Sequence, residues 1–348
     1  MREYQYCVIA LTESTKQLHN TFMLLILSNK LDSTTDIVIH RLKEQHIPFV
    51  RWNTEDLLQD HHVTIRIDSG VLNMAILRAE GRVIDLQRDI TVIWNRRCGK
   101  VEPHSSIHKL AHREFATREA SMILSNIWAL LASKSWVNNP TQNLLMNNKL
   151  QQLILARQIG LQTPPTLLTN NPAEVRRFKQ EHGEIAAKPL SAGIIRDRGV
   201  EMMLYTLKLT EIDMANLSSI RLCPTMFQAY VPKQIELRIT VVGTKVFACA
   251  IDSQKSERTK HDWRRYDFDH VPHYSTKIPV ELRRQLVKFL QMSGLVFGAF
   301  DFIQTPAGEF VFLEVNPNGQ WYWIEKLTGL PIADTLVKYF KDIIDERR

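Results

Sequence analysis

The stretch FLEVNPNGQW, Phe312 to Trp321, begins as an apolar strand and then carries Glu314 and Asn316; it follows GAFDFIQTPAGEFV, Gly298 to Val311. An acid, Asp301, also interrupts the earlier apolar run. If the two runs are neighbouring antiparallel strands, Asp301 lies beside Glu314, and the alternation of side chains puts Glu314 and Asn316 on one face. Two carboxylates and an amide oxygen are hard donors, the set that suits Mg²⁺, which keeps some waters and takes other ligands from substrate phosphates. Each residue alone fits an ordinary polar strand end. The trio at this spacing points to a metal and nucleotide site.

Two lysines upstream extend that reading. Lys188 closes the apolar strand EIAAKPL (Glu184–Leu190), and the loop SAGIIRDRG (Ser191–Gly199) that follows has the composition of a flap whose backbone N–H groups fold over phosphates. Lys149 falls within a helical pattern from Met146 to Ile159 that Gly160 ends. Taken singly, the loop fits a surface hairpin and Lys149 a solvated helix face. FQAYVPKQIELRITVVGTKVFACAI, Phe227 to Ile251, breaks at Pro232 and Lys233 and resumes as a strand, which makes a hinge whose backbone can bond an adenine edge. Glu236 and Arg238 share a face of that strand. An arginine there braces a phosphoryl group bidentately, as a lysine cannot; a cross-strand ion pair fits these residues equally well.

The N-terminal third alternates strand and helix as an α/β layer requires. Strands are expected at Tyr6–Leu11, Phe49–Asn53 and Val92–Arg97, a hairpin at Val63–Ile67 with Ala75–Arg78, and helices at Asp36–Gln45 and Ile107–Leu131. Asn171 is the expected cap of a helix with Pro172 at its first position. Further on, strands are expected at Thr225–Tyr230, Ile235–Val242, Lys245–Ile251, Val296–Phe302 and Phe310–Val315, and helices at Val280–Met292 and Ile332–Ile344.

At 348 residues with 44% hydrophobic content, the chain is long enough for two or three subdomains. Its longest apolar runs, MLLILS at Met23 and IWALLA at Ile127, fall short of the roughly 20 residues of a membrane span, and Met1–Tyr4 does not open a secretory signal. A cytoplasmic protein that uses no membrane is expected. Cys7, Cys98, Cys223 and Cys249 are far apart with no CxxC pair, which argues against a disulfide frame or a zinc cage. The net charge of +7 comes from dispersed Lys and Arg and does not single out nucleic acid.

Ser253–Ser275 interleaves Arg258, His261, Arg264, Arg265 and His270 with Trp263, Tyr266 and Tyr274. This suits a hairpin or lid at an acceptor site where Arg264 and Arg265 attract acidic side chains. A single-stranded nucleic-acid groove is the competing reading. His261, His270 and His273 lack the Cys/His company of a metal site.

The order of a helix lysine, a strand lysine, a glycine-containing flap, a hinge strand and then Asp…Glu-x-Asn resembles the ATP-grasp superfamily over nearly the whole chain. VIWNRR, the NNK helix, LQTPPTLLTNNP, AAKPLSAG, ELRITVVGTKVFACAI, the DWR of Asp262–Arg264 and LEVNPNGQWYWIE resemble, more narrowly, the ligases that mature microviridin-type peptides, the graspetide synthetases. The resemblance implies an α/β (α+β) ATP-grasp fold: an N-terminal α/β pre-ATP-grasp domain (1–130), a central lid domain (131–218) and a C-terminal ATP-grasp domain (219–348). It implies ATP-dependent cross-linking of a ribosomally made precursor peptide, leader plus core. A substrate Asp or Glu is phosphorylated, and a Thr or Ser hydroxyl or a Lys amine displaces phosphate to close a ring.

Carried onto this chain, the resemblance gives Lys149 and Lys188 to the ATP phosphates, and Gln228, Ala229, Tyr230, Val231 and Glu236 to the nucleoside. It gives Asp301, Glu314 and Asn316 to Mg²⁺, and Arg238, with Lys188 and Asp301, to catalysis. Arg96, Arg97, Asp262, Arg264 and Arg265 fall on the substrate side. A homodimer is compatible with it. Many ATP-grasp hinges carry an acid where Gln228 stands, which touches only nucleotide selection. Two rivals remain: a ligase that adds amino acids to a protein or peptide terminus, and a nucleotide-binding module without catalysis.

Overall fold

MLLILS, Met23–Ser28, is buried at all six positions and lies inside the N-terminal sheet. It pairs in parallel with Phe49–Asn53 on one side and Ile90–Asn95 on the other, and Ser135–Val137 extends the sheet beyond Ile90–Asn95. A parallel strand covered on both faces has no polar face to alternate with, so its sequence is a continuous apolar run. That run was weighed above only as a membrane segment. Residues 22–79, 81–191 and 193–347 are described in this computed structural model, and the strand expected at Tyr6–Leu11 lies outside them.

Helix Ser33–Glu44 is capped by Asp32, whose side chain accepts the Thr34 N–H. The antiparallel meander His62–Asp68, Val71–Ala79 and Arg82–Asp85 and helix Leu110–Leu130 close a core around Leu25, Leu27, Trp52 and Ile93. Among the described residues no helix is long and apolar enough to cross a membrane.

The C-terminal sheet is antiparallel, in the order His273–Ser275, Lys245–Ile251, Ile235–Val242, Phe297–Gln304, Phe310–Asn316. Its two faces go to different cores. Leu237, Ile239, Phe300, Phe302 and Phe312 pack with helices Val280–Ser293 and Lys149–Gln158. On the opposite side Val242, Cys249, Ile251 and Ala299 share a core with helix Ile332–Arg347, which also packs against Leu24, Ile26 and Val38. The closing helix therefore joins the N-terminal sheet to the C-terminal one.

The central layer is smaller. Leu207–Lys208, Ile185–Lys188, Thr225–Ala229 and Thr166–Thr169 form its sheet, over a core of Val175, Phe178, Ile185, Met214, Leu217 and Phe227. Asn171 accepts the Ala173 N–H with Pro172 in the first turn, as expected. The flap is a two-stranded hairpin, Ile194–Asp197 with Val200–Met203, exposed at every strand position.

Sheet membership runs across the expected boundaries at 130 and 218. Ser135–Val137 belongs to the N-terminal sheet and Thr225–Ala229 to the central one, because such short strands are assigned by their partners and not by their own period. The helix expected from Met146 to Ile159 is also divided. Asn148 caps a new helix by accepting the Leu150 and Gln151 N–H groups, so Lys149 is its first residue.

Candidate active site

The expected pairing is present in the backbone register. Asp301 stands opposite Glu314 and Ala299 opposite Asn316, with a bulge that leaves Leu313 unpaired just before Glu314. Asn316 Nδ2 donates to Asp301 Oδ2 at 3.4 Å. On the other flank Arg238 is directly opposite Asp301, and its Nη1 donates to both carboxylate oxygens at 2.9 and 2.8 Å. Glu314 Oε2 lies 3.3 Å from Lys149 Nζ, which also donates to Pro189 O at 3.0 Å. The Lys188 ammonium, half-buried, makes no hydrogen bond or close ion pair among the described residues.

These groups tune one another. Burial, with Glu314 adding to it, pushes the Asp301 carboxyl up to about 6 against the pull of Arg238. Burial works on Glu314 in the same sense, but Lys149, Arg264 and Lys188 outweigh it and hold that carboxyl below its usual range. Burial lowers Lys188 to about 8, with Glu314 opposing. One site thus holds a carboxylate kept ionised and a lysine that titrates near physiological pH.

Lys149, Lys188, Arg264, Asp301 and Glu314 face one cavity of about 700 Å³, open solvent at its mouth included. Its lining also includes Gln228, Ala229, Tyr230, Val231 and Glu236. Arg238 and Asn316 do not line it; they stand one step back, against Asp301. At the hinge the Ala229 and Tyr230 N–H groups are already bonded to Pro165 O and Glu184 O. Main-chain contact with a base therefore falls to the Val231 N–H and to carbonyls.

Gln228 is 2% exposed, and its Nε2 donates at 3.0 Å to the Thr166 hydroxyl, which donates in turn to Pro164 O. That chain of donors fixes the amide orientation and leaves Oε1 buried with no partner. Glu236 Oε1 accepts from Lys233 Nζ at 2.9 Å while its Oε2 has none, and burial pushes this carboxyl up despite Lys233.

The remaining candidates are placed differently. Asp262 reaches the cavity, but its oxygens accept Arg264 Nε at 2.9 Å, Arg264 Nη2 at 2.6 Å and the Arg264 and Thr206 N–H groups. Burial would raise its carboxyl, yet these bonds hold it at about 2. It is a strut that aims Arg264 into the cavity. Arg265 does not line the cavity and lies over the Tyr205 ring, 5.2 Å from its centroid. Arg96 and Arg97, expected as a wall of the site, do not line it either: Arg96 is 2% exposed, buried behind the Asn316–Gln320 turn, and Arg97 is exposed beside Asn318 O.

The lid segment is not a hairpin. It forms short 3-10 turns at Ser253–Lys255 and Trp263–Arg265, and only His273–Ser275 joins the sheet. Its aromatic content goes into packing, with Trp263, Phe268 and His273 gathered around Trp323. His270 pairs with Asp267 and His273 with Val271 O. Among the described residues no three His, Cys, Asp or Glu side chains are grouped to hold a metal ion; the trio at Asp301 has two carboxylates and an amide, and to hold one it would need further ligands from a substrate.

Two buried amides escaped the sequence reading. Gln152 donates to Val315 O and accepts the Val315 N–H at 2.9 and 2.8 Å, so it takes the place of a neighbouring strand between Glu314 and Asn316. Asn138 bonds Phe297 O, Pro317 O and the Val296 and Phe297 N–H groups, tying the end of the N-terminal sheet to the C-terminal one. Polar residues in short buried segments carry no periodic signal; the paired asparagines of WVNNP were the one hint.

The model of the family described as the MvdD pre-ATP grasp domain matches residues 23–143. Among solved structures, the macrocyclase MdnB from Microcystis aeruginosa MRC is 33% identical at a TM-score of 0.74, with 92% of this chain and 99% of MdnB covered. The chain belongs to the graspetide-type ATP-grasp ligases. A RiPP-associated ATP-grasp ligase of Chryseobacterium gregarium, in complex with ADP and a leader and core peptide, matches this ligase at 27% identity and a TM-score of 0.84 over 92% of this chain and 97% of its own. MdnC of Microcystis aeruginosa MRC, bound with precursor peptide MdnA, matches at 28% and 0.79 over 92% and 100%. No curated protein sequence gives a significant match.

Proposed function

We propose that this ligase, in the cytoplasm, uses ATP and Mg²⁺ to activate Asp or Glu side chains of a microviridin-type precursor peptide, and that Thr or Ser hydroxyls or Lys amines of the same peptide then close rings. The observation that carries this is the Lys188 ammonium, half-buried and in no close ion pair or side-chain hydrogen bond among the described residues, in one cavity with Asp301 and Glu314. An unpaired cation in a confined site is costly until an anion meets it. Relatives that bind ADP and a leader and core peptide, or a precursor peptide, support the same reading.

In this account Lys149 and Lys188 hold the polyphosphate, and Gln228 to Val231 with Glu236 hold the nucleoside. Asp301, Glu314 and Asn316 have the donor chemistry to hold Mg²⁺, which when bound neutralises phosphate charge and polarises the transferred phosphoryl group. Arg238, one step behind the cavity on Asp301, adds positive charge toward the phosphoryl group and the acyl phosphate that follows. Arg264, aimed by Asp262, attracts the substrate carboxylate, with Arg97 and Arg265 adding positive charge outside the cavity. The hydroxyl or amine attacks the acyl carbon, phosphate leaves, and the nucleophile's proton is released.

Intact-mass analysis of short peptides encoded beside the gene, incubated with the ligase, ATP and Mg²⁺, tests this. Each ring removes one water, so stepwise losses of water are expected. ATP turnover that instead requires a free amino acid, with mass added to a terminus, would overturn the ring-closing reading.

A further inference from the structure

We infer that Arg96, from the N-terminal domain, is a positioning residue for Arg238, acting through the turn Pro317–Gln320. This rests on the proposed role of Arg238 at the transferred phosphoryl group. Arg96 is fully enclosed, and its Nη1 donates to Asn318 O at 2.8 Å and Gly319 O at 3.2 Å. Its Nη2 donates to Gln320 Oε1, which also accepts the Thr34 hydroxyl at 2.8 Å. Arg96 Nε stands 3.2 Å from Asp32 Oδ2, so the buried cation has its counter-ion beside it.

The other side of the same turn carries Arg238. Its Nη2 donates to Gln320 O at 3.3 Å, while Nη1 holds Asp301. The fit is close at Gly319, where a Cβ would stand 2.6 Å from Arg238 Nη2 and 2.5 Å from the Ala299 Cβ. Only glycine lets the guanidinium lie flat against the turn. Three successive carbonyls, of Asn318, Gly319 and Gln320, are thus shared between two buried guanidinium groups, one from each domain.

This arrangement has a directional consequence. The C-terminal strand closes the turn from within, Gly319 N–H to Asn316 O at 3.1 Å, and Asn138 holds Pro317 O. On Asn318 O, Gly319 O and the Gln320 side chain, the hydrogen bonds among the described residues come from the N-terminal domain: the short ones from Arg96, supported by Asp32 and Thr34, and a longer pair from Arg97 to Asn318 O at 3.4 Å. If Arg96 is shortened, Gln320 O can withdraw from Arg238, whose free amino group then loses its second anchor and swings on the Asp301 contact. A shift of about 1 Å in a group that stabilises transferring charge costs on the order of 10²-fold in rate. Nucleotide affinity, set by Lys149, Lys188 and the hinge, should hardly change.

A double-mutant cycle on single-turnover ATP consumption with the precursor peptide tests this, using Arg96→Gln, Arg238→Lys and the pair. We expect Arg96→Gln to lower the rate about 10- to 100-fold with the ATP KM altered less than about threefold, and to cost less than about threefold once Arg238 is already Lys. Multiplying losses, or an unchanged rate in Arg96→Gln, would overturn the inference. A normal rate in Arg238→Lys alone would instead overturn the role given to Arg238. Should Arg96→Gln fail to fold, Gln320→Leu removes the half-buried side-chain acceptor that Arg96 and Thr34 share on the same turn. It should show the same rate loss and the same dependence on Arg238, and a full rate in Gln320→Leu would count against the inference.

Discussion

The C-terminal sheet and the flap hairpin are both antiparallel β-structure, yet they are built in opposite ways. Ile235–Val242 is buried at seven of its eight positions and sits between two paired neighbours. The hairpin Ile194–Asp197 with Val200–Met203 is exposed throughout and pairs only with itself. Groups that must stand at fixed distances, Arg238, Asp301, Glu314 and Asn316, are all on the sheet. The hairpin carries none of them, and its stability comes from few contacts. A rigid floor places charge, while the exposed hairpin, which does not line the cavity, is the more weakly held of the two.

The largest effects should come from the floor's carboxylates. Glu314→Gln is expected to lower turnover by about 10³-fold while leaving the melting temperature near normal, since Lys149 is partly open to solvent. Asp301→Asn should lose activity and also stability, about 3–5 kcal/mol, because it leaves Arg238 buried without its anion. Near-normal turnover in Glu314→Gln would remove the metal assignment.

Next in size is packing beneath the site. Phe300, fully buried against Phe289 and Phe312, should cost about 3–5 kcal/mol on truncation to Ala. Val200→Ala in the hairpin should cost no more than about 0.5 kcal/mol. Chemical denaturation of both variants checks the contrast, and equal losses would mean that the hairpin is docked as firmly as the sheet.

Smaller, but with a definite sign, is the pH effect at Lys188. Its folded pKa is depressed to about 8 from 10.5, so the ammonium is present below about 8 and lost as pH rises through it. Nucleotide affinity should be level at neutral pH and weaken above 8, by at most about tenfold per unit for one proton. The same depression means that the free protein gains stability as pH rises from 8 toward 10.5, as the buried charge is discharged. In Lys188→Arg, whose side chain stays charged, the affinity profile should flatten; an identical profile would place the phosphates elsewhere.

What the sequence revealed follows from where periodicity survives. Ile235–Val242 and Lys245–Ile251 were bounded to the residue because Pro232 and Gly243 punctuate them, and the pairing of Asp301 with Glu314 followed from strand alternation. Met23–Ser28 was missed because burial on both faces erases the period. Lys149 falls inside a helix that the apolar spacing starts at Met146, because that spacing does not show Asn148 as the cap of a new helix. Arg96 could not be placed from the sequence, since its partners at Asn318 and Gly319 are more than 200 positions away. Gln152 and Asn138 are alike in this respect. Each satisfies backbone groups on a distant strand, and no local pattern announces such a bond.

Calorimetric titration of a non-hydrolysable ATP analogue, with and without Mg²⁺, into the native ligase and into Glu314→Gln decides whether metal and nucleotide meet at the Asp301 trio. Mg²⁺ is expected to tighten binding to the native protein and to have little effect on the variant, whose hinge and lysines still hold the nucleotide. Equal tightening by Mg²⁺ in both proteins would contradict it, because Asp301, Glu314 and Asn316 would then not be where the metal and the phosphates meet.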